Sequence, residues 1–359
     1  MPRFMKEHHL IIGAGLTGCV LAHQLHALGH HITLADGPFK PISSRVAAGL
    51  YNPIIPKRYR IARNAKEIFS FFPHFYSKLE SLLHASFFHP APIYYIHRDQ
   101  EDQNEWDTYQ TNTALSEWIR PYTAPAFPPN IDAPYGATHI TEGGWLHISQ
   151  FIDATHSFFN HSFLFGADPM HPTLGLRLES DHTFTLSNRH FDRVFFCRGE
   201  RERHFPTLFG ALPFRPVRGD IITIESDEPI PQGIWHQGIF MIPLSEKRAR
   251  VGATYDNNTL NYENNEQHIE EMIQKLKRFY KAPFRVVQKD AGIRPATASR
   301  LPIVAEHPIH KGMYIVNGMG SKGVTLAPYY CDLLLQHIFQ NQPLPPSLCS
   351  PLKQHPFVS

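Results

Sequence analysis

Leu10-Ile11-Ile12 is a continuous apolar run; behind it Leu21, Leu25 and Leu28 recur at helical spacing, and a second apolar run closes on Asp36. The change from a continuous run to a 3.6-residue period and back predicts a strand, a helix and a strand. Between residues 60 and 83, Ile61, Ala65, Ile68, Phe69 and Phe72 face one way, and Phe75, Leu79, Leu82 and Leu83 resume the stripe beyond Pro73. That pattern predicts a helix broken at the proline. Residues 91–97 (APIYYIH) read as a strand, and the proline-rich Pro121–Pro134 as an extended connection. Strands are expected at Thr138–Ile140 and Phe163–Phe165, with a helix through Ile152 and Phe159 between them. Leu176–Leu186 alternates as a hairpin does, and Phe191–Gly199 reads as a buried strand stopped by glycine.

From Val217 to Asp256 three strands with polar breaks predict a second, antiparallel sheet. Ile269, Met272, Ile273, Leu276 and Phe279 make one face of a helix over Gln267–Tyr280. Gly312–Pro328 (GMYIVNGMGSKGVTLAP) is a strand, a glycine turn and a helix start. The fold class is therefore α/β at the nucleotide unit and α+β overall, with a Rossmann-like domain beside an antiparallel sheet.

The first turn is Gly13-Ala14-Gly15-Leu16-Thr17-Gly18. Gly13 suits the tight turn, Gly15 allows backbone N–H groups to approach a pyrophosphate, and Gly18 allows close helix–strand packing. The phosphates would sit at the positive helix N-terminus. Asp36, at the end of the second strand, is placed to accept both hydroxyls of an adenosine ribose and disfavours the extra phosphate of NADP. Arg3 and Lys6 before an apolar run suggest a secretory leader, but the glycines and the histidines after the helix make a poor apolar core for one.

Composition narrows the picture modestly. The 359 residues can bury one large core or two joined ones. Lys and Arg (34) nearly balance Asp and Glu (32), so charge demands no nucleic-acid partner. Cys19, Cys197, Cys331 and Cys349 lie far apart with no CxxC, which favours a reducing, cytoplasmic setting. No apolar run reaches the roughly 18 residues of a membrane span. His23, His26 and His30 fall at helical spacing without a Cys or acidic companion and are expected to be solvated rather than metal ligands. Lys57, Arg58, Arg60, Arg63 and Lys66 form a basic stretch that reads first as a solvated face.

Further candidates follow the fingerprint. Ser43, Ser44 and Arg45 suit phosphate oxygens, while Ala47, Ala48 and Gly49 would let a flat ring approach the backbone. Gly199 would give a cofactor room at the end of its strand. Arg294 stands between Gly292 and Pro295, and the Gly318–Thr325 turn is a second anion cradle, implying a long cofactor. Trp145 and Tyr255 either wall a pocket or fill a core.

In order along the chain, GAGLTG, Asp36, SSRVAAGL, Gly199, VGATYD, GIRPAT with Leu301-Pro302, and GMGSKGVTLAP resemble the FAD-dependent D-amino-acid oxidase family, which includes glycine and sarcosine oxidases. Gly143-Gly144-Trp145-Leu146, Thr254-Tyr255-Asp256 and GMGSKG most resemble the oxidase domain of the bifunctional enzymes that finish methylaminomethyl-uridine at the tRNA wobble position. The resemblance implies FAD held by Gly13, Ala14, Gly15, Leu16, Thr17, Gly18, Asp36, the Ser43–Leu50 segment (Ser43, Ser44, Arg45, Ala48, Gly49, Leu50), Gly199, and Gly318, Gly320, Ser321, Lys322, Gly323, Val324 and Thr325. It divides the chain into an FAD-binding domain of 1–56, 140–212 and 290–359 and a substrate domain of 57–139 and 213–289. It also implies oxidation of the C–N bond of an amino acid or a carboxymethyl-type secondary amine by hydride transfer to flavin N5, with oxygen as acceptor.

Arg294 then falls on the carboxylate-binding arginine, and Lys322 stands near the flavin as a second catalytic candidate. Phe240, Tyr255 and Leu50 line the substrate. Phe240 takes the place of an active-site tyrosine, which puts simple glycine oxidation in question. tRNA and a separate methyltransferase are the implied macromolecular partners, since the tRNA-modifying relatives carry a fused methyltransferase. Three alternatives stay open: a free glycine or D-amino-acid oxidase, a non-catalytic flavin-binding assembly factor, and an NAD-dependent dehydrogenase.

Overall fold

The computed structural model describes residues 6–37, 43–55, 60–111, 114–123, 126–165, 175–179 and 182–353. Lys57 and Arg58 of the basic stretch lie outside them. The first apolar run forms the strand His8–Ile12, followed by the helix Leu16–Ala27 and the strand His31–Asp36. These strands lie inside a six-stranded sheet ordered Phe163–Phe165, His31–Asp36, His8–Ile12, Arg193–Phe196, Met313–Asn317, Ile303–Glu306. Its pairings are parallel except the last. Parallel strands buried on both faces read as unbroken apolar runs, which is why the sequence shows no alternation here.

On one face of this sheet Leu21 and Leu25 pack in one core with Val324, Ala327, Cys331 and Leu334 of the helix Gly323–Gln340. The helix Ala65–Leu83 joins that core and runs straight through Pro73 instead of breaking there. Phe72 and Tyr76 on either side are fully buried, and their packing holds the turn that has lost one N–H. Its start is also later than the pattern suggests, because Arg60–Ile61 pairs as a short strand with Ile54–Ile55. The acidic run after Asp99 is a helix, Gln100–Gln110, capped by the Asp99 side chain accepting from Asp102 N–H at 2.8 Å.

The second sheet has eight strands, ordered Phe284–Arg294, Val217–Ser226, Arg248–Gly252, Phe240–Pro243, Ile234–His236, Ile93–Ile96, Ala137–Ile140, Ile119–Pro121. The expected three strands of 217–256 are four, because residues 234–243 fold back on themselves at Gly238. The sheet is mixed rather than purely antiparallel: Ile234–His236 runs parallel to Ile93–Ile96. Ile222, Ile224, Met241 and Val251 face the helix Glu266–Phe279 on one side. Gly219, Ile221, Gly252 and Phe240 face a cavity on the other. The strand Phe284–Arg294 crosses residue 290 without a break and carries Arg294 at its end, so a domain boundary at 290 falls inside a strand.

Two of the three histidines of the first helix region are buried, not solvated. His23 is 2% exposed among Phe151, Phe158 and Phe159, with Nε2 3.0 Å from Thr155 Oγ1. His30 stacks on Phe339 at 4.6 Å. Helical spacing recorded a packed face, and aromatic neighbours supplied from far along the chain replaced the water. His30 also gathers with Glu7 and His9, their ligand-type atoms within 4.8 Å of one another, and the Arg193 guanidinium pairs with Glu7 there.

Candidate active site

A cavity of about 800 Å³ runs between the two sheets. Gly13, Gly15, Leu16, Thr17 and Asp36 line it from the first turn, and Gly320, Ser321, Lys322, Gly323, Val324 and Thr325 from the last one. Ser43, Ser44, Ala48, Gly49, Leu50, Gly199, Phe240, Tyr255 and Arg294 complete the predicted wall. Two glycine turns roughly 300 residues apart in sequence thus open onto one space, in which Gly13 takes φ 104° and Gly320 φ 58°. Those values are in the region that a side chain disfavours. A Cβ on Gly13 would also stand 2.5 Å from the carbonyl oxygen of Cys197.

Four predicted contacts do not line the cavity. Arg45 turns outward to Asp153, Nη2 to Oδ1 at 2.6 Å, because a carboxylate of the helix Ile148–Phe158 reaches it from outside. Ala14 is wholly buried and its carbonyl accepts from the Cys19 thiol at 3.4 Å. Gly18 faces the Gly13 carbonyl, so its small size serves the turn itself. Gly318 packs against Thr297, whose Cγ2 would lie 2.6 Å from a Cβ there. Trp145 is buried and stacked on His89 at 4.2 Å, away from the cavity.

The walls carry groups suited to an anionic dinucleotide. The helix Leu16–Ala27 starts at Gly15, which has no side chain to cap it, and Gly15, Leu16 and Thr17 of this positive end line the cavity. Ser44 Oγ accepts from Leu16 N–H at 3.2 Å and keeps its own hydrogen to donate. Ser43 instead donates to the Ile293 carbonyl at 2.6 Å, tying this segment to the second sheet. Burial raises the Asp36 pKa, and its Oδ1 accepts from Gly37 N–H at 3.0 Å. The Lys322 ammonium, at the N-cap of the last long helix, has no hydrogen-bond or ion-pair partner among the described residues, and burial lowers its pKa. These donors, the lone ribose-type acceptor and the second cradle fit FAD.

Arg294 is held for use on a ligand. Its Nη1 donates to the carbonyls of Arg218 (3.3 Å) and Thr254 (3.2 Å), and its guanidinium carbon sits 4.5 Å from the centre of the Tyr255 ring. It lies flat over Gly219, where a Cβ would come within 2.5 Å of Nη1. Among the described residues no carboxylate pairs with it directly. Burial lowers its pKa, opposed by Tyr255 and Asp220, and a guanidinium so shifted stays charged. Behind it, Arg218 is fully buried and paired with Asp220 (Nη2 to Oδ1, 2.8 Å), while Thr254 Oγ1 donates to Asp220 Oδ2 at 2.9 Å. The network fixes the carbonyl that orients Arg294.

Three further residues at the site are not among those the sequence singles out. Asn317 donates from Nδ2 to the Gly199 carbonyl at 2.9 Å and accepts from Gly318 N–H at 2.7 Å, joining two glycine turns. Tyr262 donates to Glu200 across the cavity edge. His236 lines the substrate-side wall and stacks on Tyr95 at 5.4 Å. Only Asn317 had a usable cue, since it ends the strand that feeds the predicted turn.

Fold and site define a two-sheet dinucleotide-dependent oxidoreductase with one long cofactor cavity. The family model described as FAD dependent oxidoreductase matches residues 8–336, and the chain belongs to that family. Its cofactor is FAD. The tRNA 5-methylaminomethyl-2-thiouridine biosynthesis bifunctional protein of Hahella chejuensis is 26% identical over 90% of the chain, which spans 55% of that relative's length. Glycine oxidase of Pseudomonas aeruginosa is 23% identical over 95% of the chain and 97% of the relative. Among solved structures, glycine oxidase from Geobacillus kaustophilus superposes with a TM-score of 0.78 at 18% identity, covering 98% of this chain and all of that one. Iminodiacetate oxidase from Chelativorans sp. gives 0.74 at 20% identity, over 94% and 97% of the two chains.

Proposed function

We propose that the protein oxidises the C–N bond of an amino acid or a carboxymethyl-type secondary amine, with oxygen as acceptor. The observation that carries this reading is Arg294, a partly buried guanidinium without a carboxylate of its own, facing the cofactor cavity. Guanidinium forks onto a carboxylate through two parallel bonds, fixing direction and distance together. Bound FAD supplies the hydride acceptor. The chain's part is positioning: Arg294 holds the carboxylate, while Leu50, Phe240 and Ile221 form an apolar wall that excludes water from the substrate carbon.

The relatives' names support the substrate class. The division of labour expected from the sequence follows, with the six-stranded sheet binding FAD and the eight-stranded sheet covering the substrate. Within the class, the carboxymethylaminomethyl group of a tRNA wobble uridine is the leading special case, since it offers Arg294 a glycine-like carboxylate and the Hahella relative is named for that pathway. A separate methyltransferase would act on the product. Cys19, Cys197 and Cys331 are buried thiols, which supports a cytoplasmic setting. Among the described residues no helix is long and apolar enough to cross a membrane. Anaerobic addition of glycine, sarcosine and iminodiacetate to the yellow holoprotein tests the proposal: bleaching of the visible flavin bands by at least one supports it. Bleaching only by tRNA bearing the carboxymethylaminomethyl group would favour the special case, and a flavin that neither these amines nor that tRNA bleaches would favour the non-catalytic assembly factor.

A further inference from the structure

The sheet wall of the cavity is longer than a glycine-sized substrate requires. His236, Phe240, Gly252 and Ile221 are successive partners in one row across four strands: His236 pairs with Phe240, Phe240 with Gly252, and Gly252 with Ile221. All four line the cavity. The Arg294 guanidinium rests on Gly219, two residues from Ile221 on the last of these strands. Three strand spacings of ~4.8 Å therefore put the His236 end on the order of 14 Å from the Arg294 end. A bound glycine covers only about a third of that span, at ~3.8 Å per residue.

The middle of the row is apolar or bare, so a substituent can lie along it. Phe240 and Ile221 offer hydrocarbon, and Gly252 has no side chain because a Cβ would meet the Phe240 ring at 2.9 Å. The far end is polar. His236 is the one titratable side chain of the row, and its Nδ1 is buried with no hydrogen-bond partner among the described residues. Tyr95, its neighbour on the next strand, stacks on it and closes the row without itself reaching the cavity. Burial lowers the His236 pKa to about 4, so the ring is neutral at pH 7 and offers a flat hydrogen-bonding face instead of a charge.

Resting on the amine-oxidase reading above, we infer that the Phe240–His236 arm binds the second nitrogen substituent of a secondary amine, and that this substituent is a flat ring. Arg294 fixes the carboxylate at one end, and the arm selects N-substituted glycines carrying an aromatic or heteroaromatic group over glycine itself. His236 acts there as a specificity residue.

The test uses the holoprotein and anaerobic flavin reduction with glycine, sarcosine and N-benzylglycine. N-benzylglycine is expected to exceed glycine in kcat/KM by tenfold or more, mainly through KM. His236→Trp, which fills the arm, should lower the ratio of kcat/KM for N-benzylglycine to that for sarcosine by tenfold or more. His236→Asn, a smaller polar replacement, should retain the preference if the bulkier variant fails to bind flavin. Reduction by glycine and sarcosine with no gain for N-benzylglycine would overturn the arm while leaving the amine-oxidase reading intact. An equal loss on all three substrates in both variants would also overturn it, marking His236 as structural. Reduction by none of the amines would overturn both.

Discussion

The guanidinium carbon of Arg294, at the end of the strand Phe284–Arg294, lies 4.5 Å from the centre of the ring of Tyr255, which follows the strand Arg248–Gly252. Tyr255 is 68% exposed, so it shields one face of the cation at the cavity rim instead of belonging to a core. An exposed cation–π contact contributes ~0.5–1 kcal/mol. Tyr255→Ala is expected to raise KM for a carboxylate substrate by about two- to fivefold, whereas Arg294→Ala should raise it by roughly tenfold or more through loss of a charge-assisted pair. Steady-state kinetics with matched flavin content check the order.

Gly219→Ala reaches the same cation from behind. Its Cβ would stand 2.5 Å from Arg294 Nη1, so the guanidinium must move. We expect a raised KM for carboxylate substrates with flavin content unchanged, because Gly219 is remote from both glycine turns in the chain. An unaltered KM would show that Arg294 is free to shift without consequence.

Asn317→Ala removes the side chain that bridges Gly199 and Gly318. A half-buried carbonyl and a buried N–H would lose their partners, the buried one at a cost of ~1–3 kcal/mol. The expected outcome is weaker FAD retention, roughly tenfold or more in the Kd measured by flavin fluorescence on reconstitution, with a modest fall in Tm.

Acid stability should depend on two buried imidazoles. His9 and His23 each have the pKa lowered to about 3 by burial, with His30 and His8 adding to the effect at His9 and His26 at His23. In the unfolded chain both would titrate near 6.5. Between about pH 6.5 and 3 the unfolded state binds more protons than the folded one, so stability rises with pH, and it levels above that window. Each histidine contributes a slope of at most ~1.4 kcal/mol per pH unit. Tm measured from pH 7 to 4.5 should fall, and His23→Leu should flatten the fall. A Tm indifferent to that substitution across the window would exclude His23.

Much of the cofactor half was legible because its signals are local. A glycine turn, a helix start and a strand-end carboxylate are each set by a few adjacent residues, and GAGLTG with Asp36 and GMGSKG carried that information whole. Arg294 was legible for the same reason, held between glycine and proline at a strand end. Arg45 was misassigned because its partner, Asp153, is more than a hundred residues away. Local polarity marks His23 and His30 as wet, while the phenylalanines that bury them are distant in sequence.

The sequence by itself determined the order of strands and helices, the two anion cradles and the guanidinium, since backbone conformation and helix polarity follow from neighbouring residues. Only the tertiary structure decided that both cradles open onto one cavity, that Asn317 clamps two turns together, and that His236 ends a row beginning near Arg294. Those relations depend on strand register across a mixed sheet, where pairing partners such as Ile93 and Ile234 lie more than a hundred residues apart and no local pattern encodes which strand becomes whose neighbour.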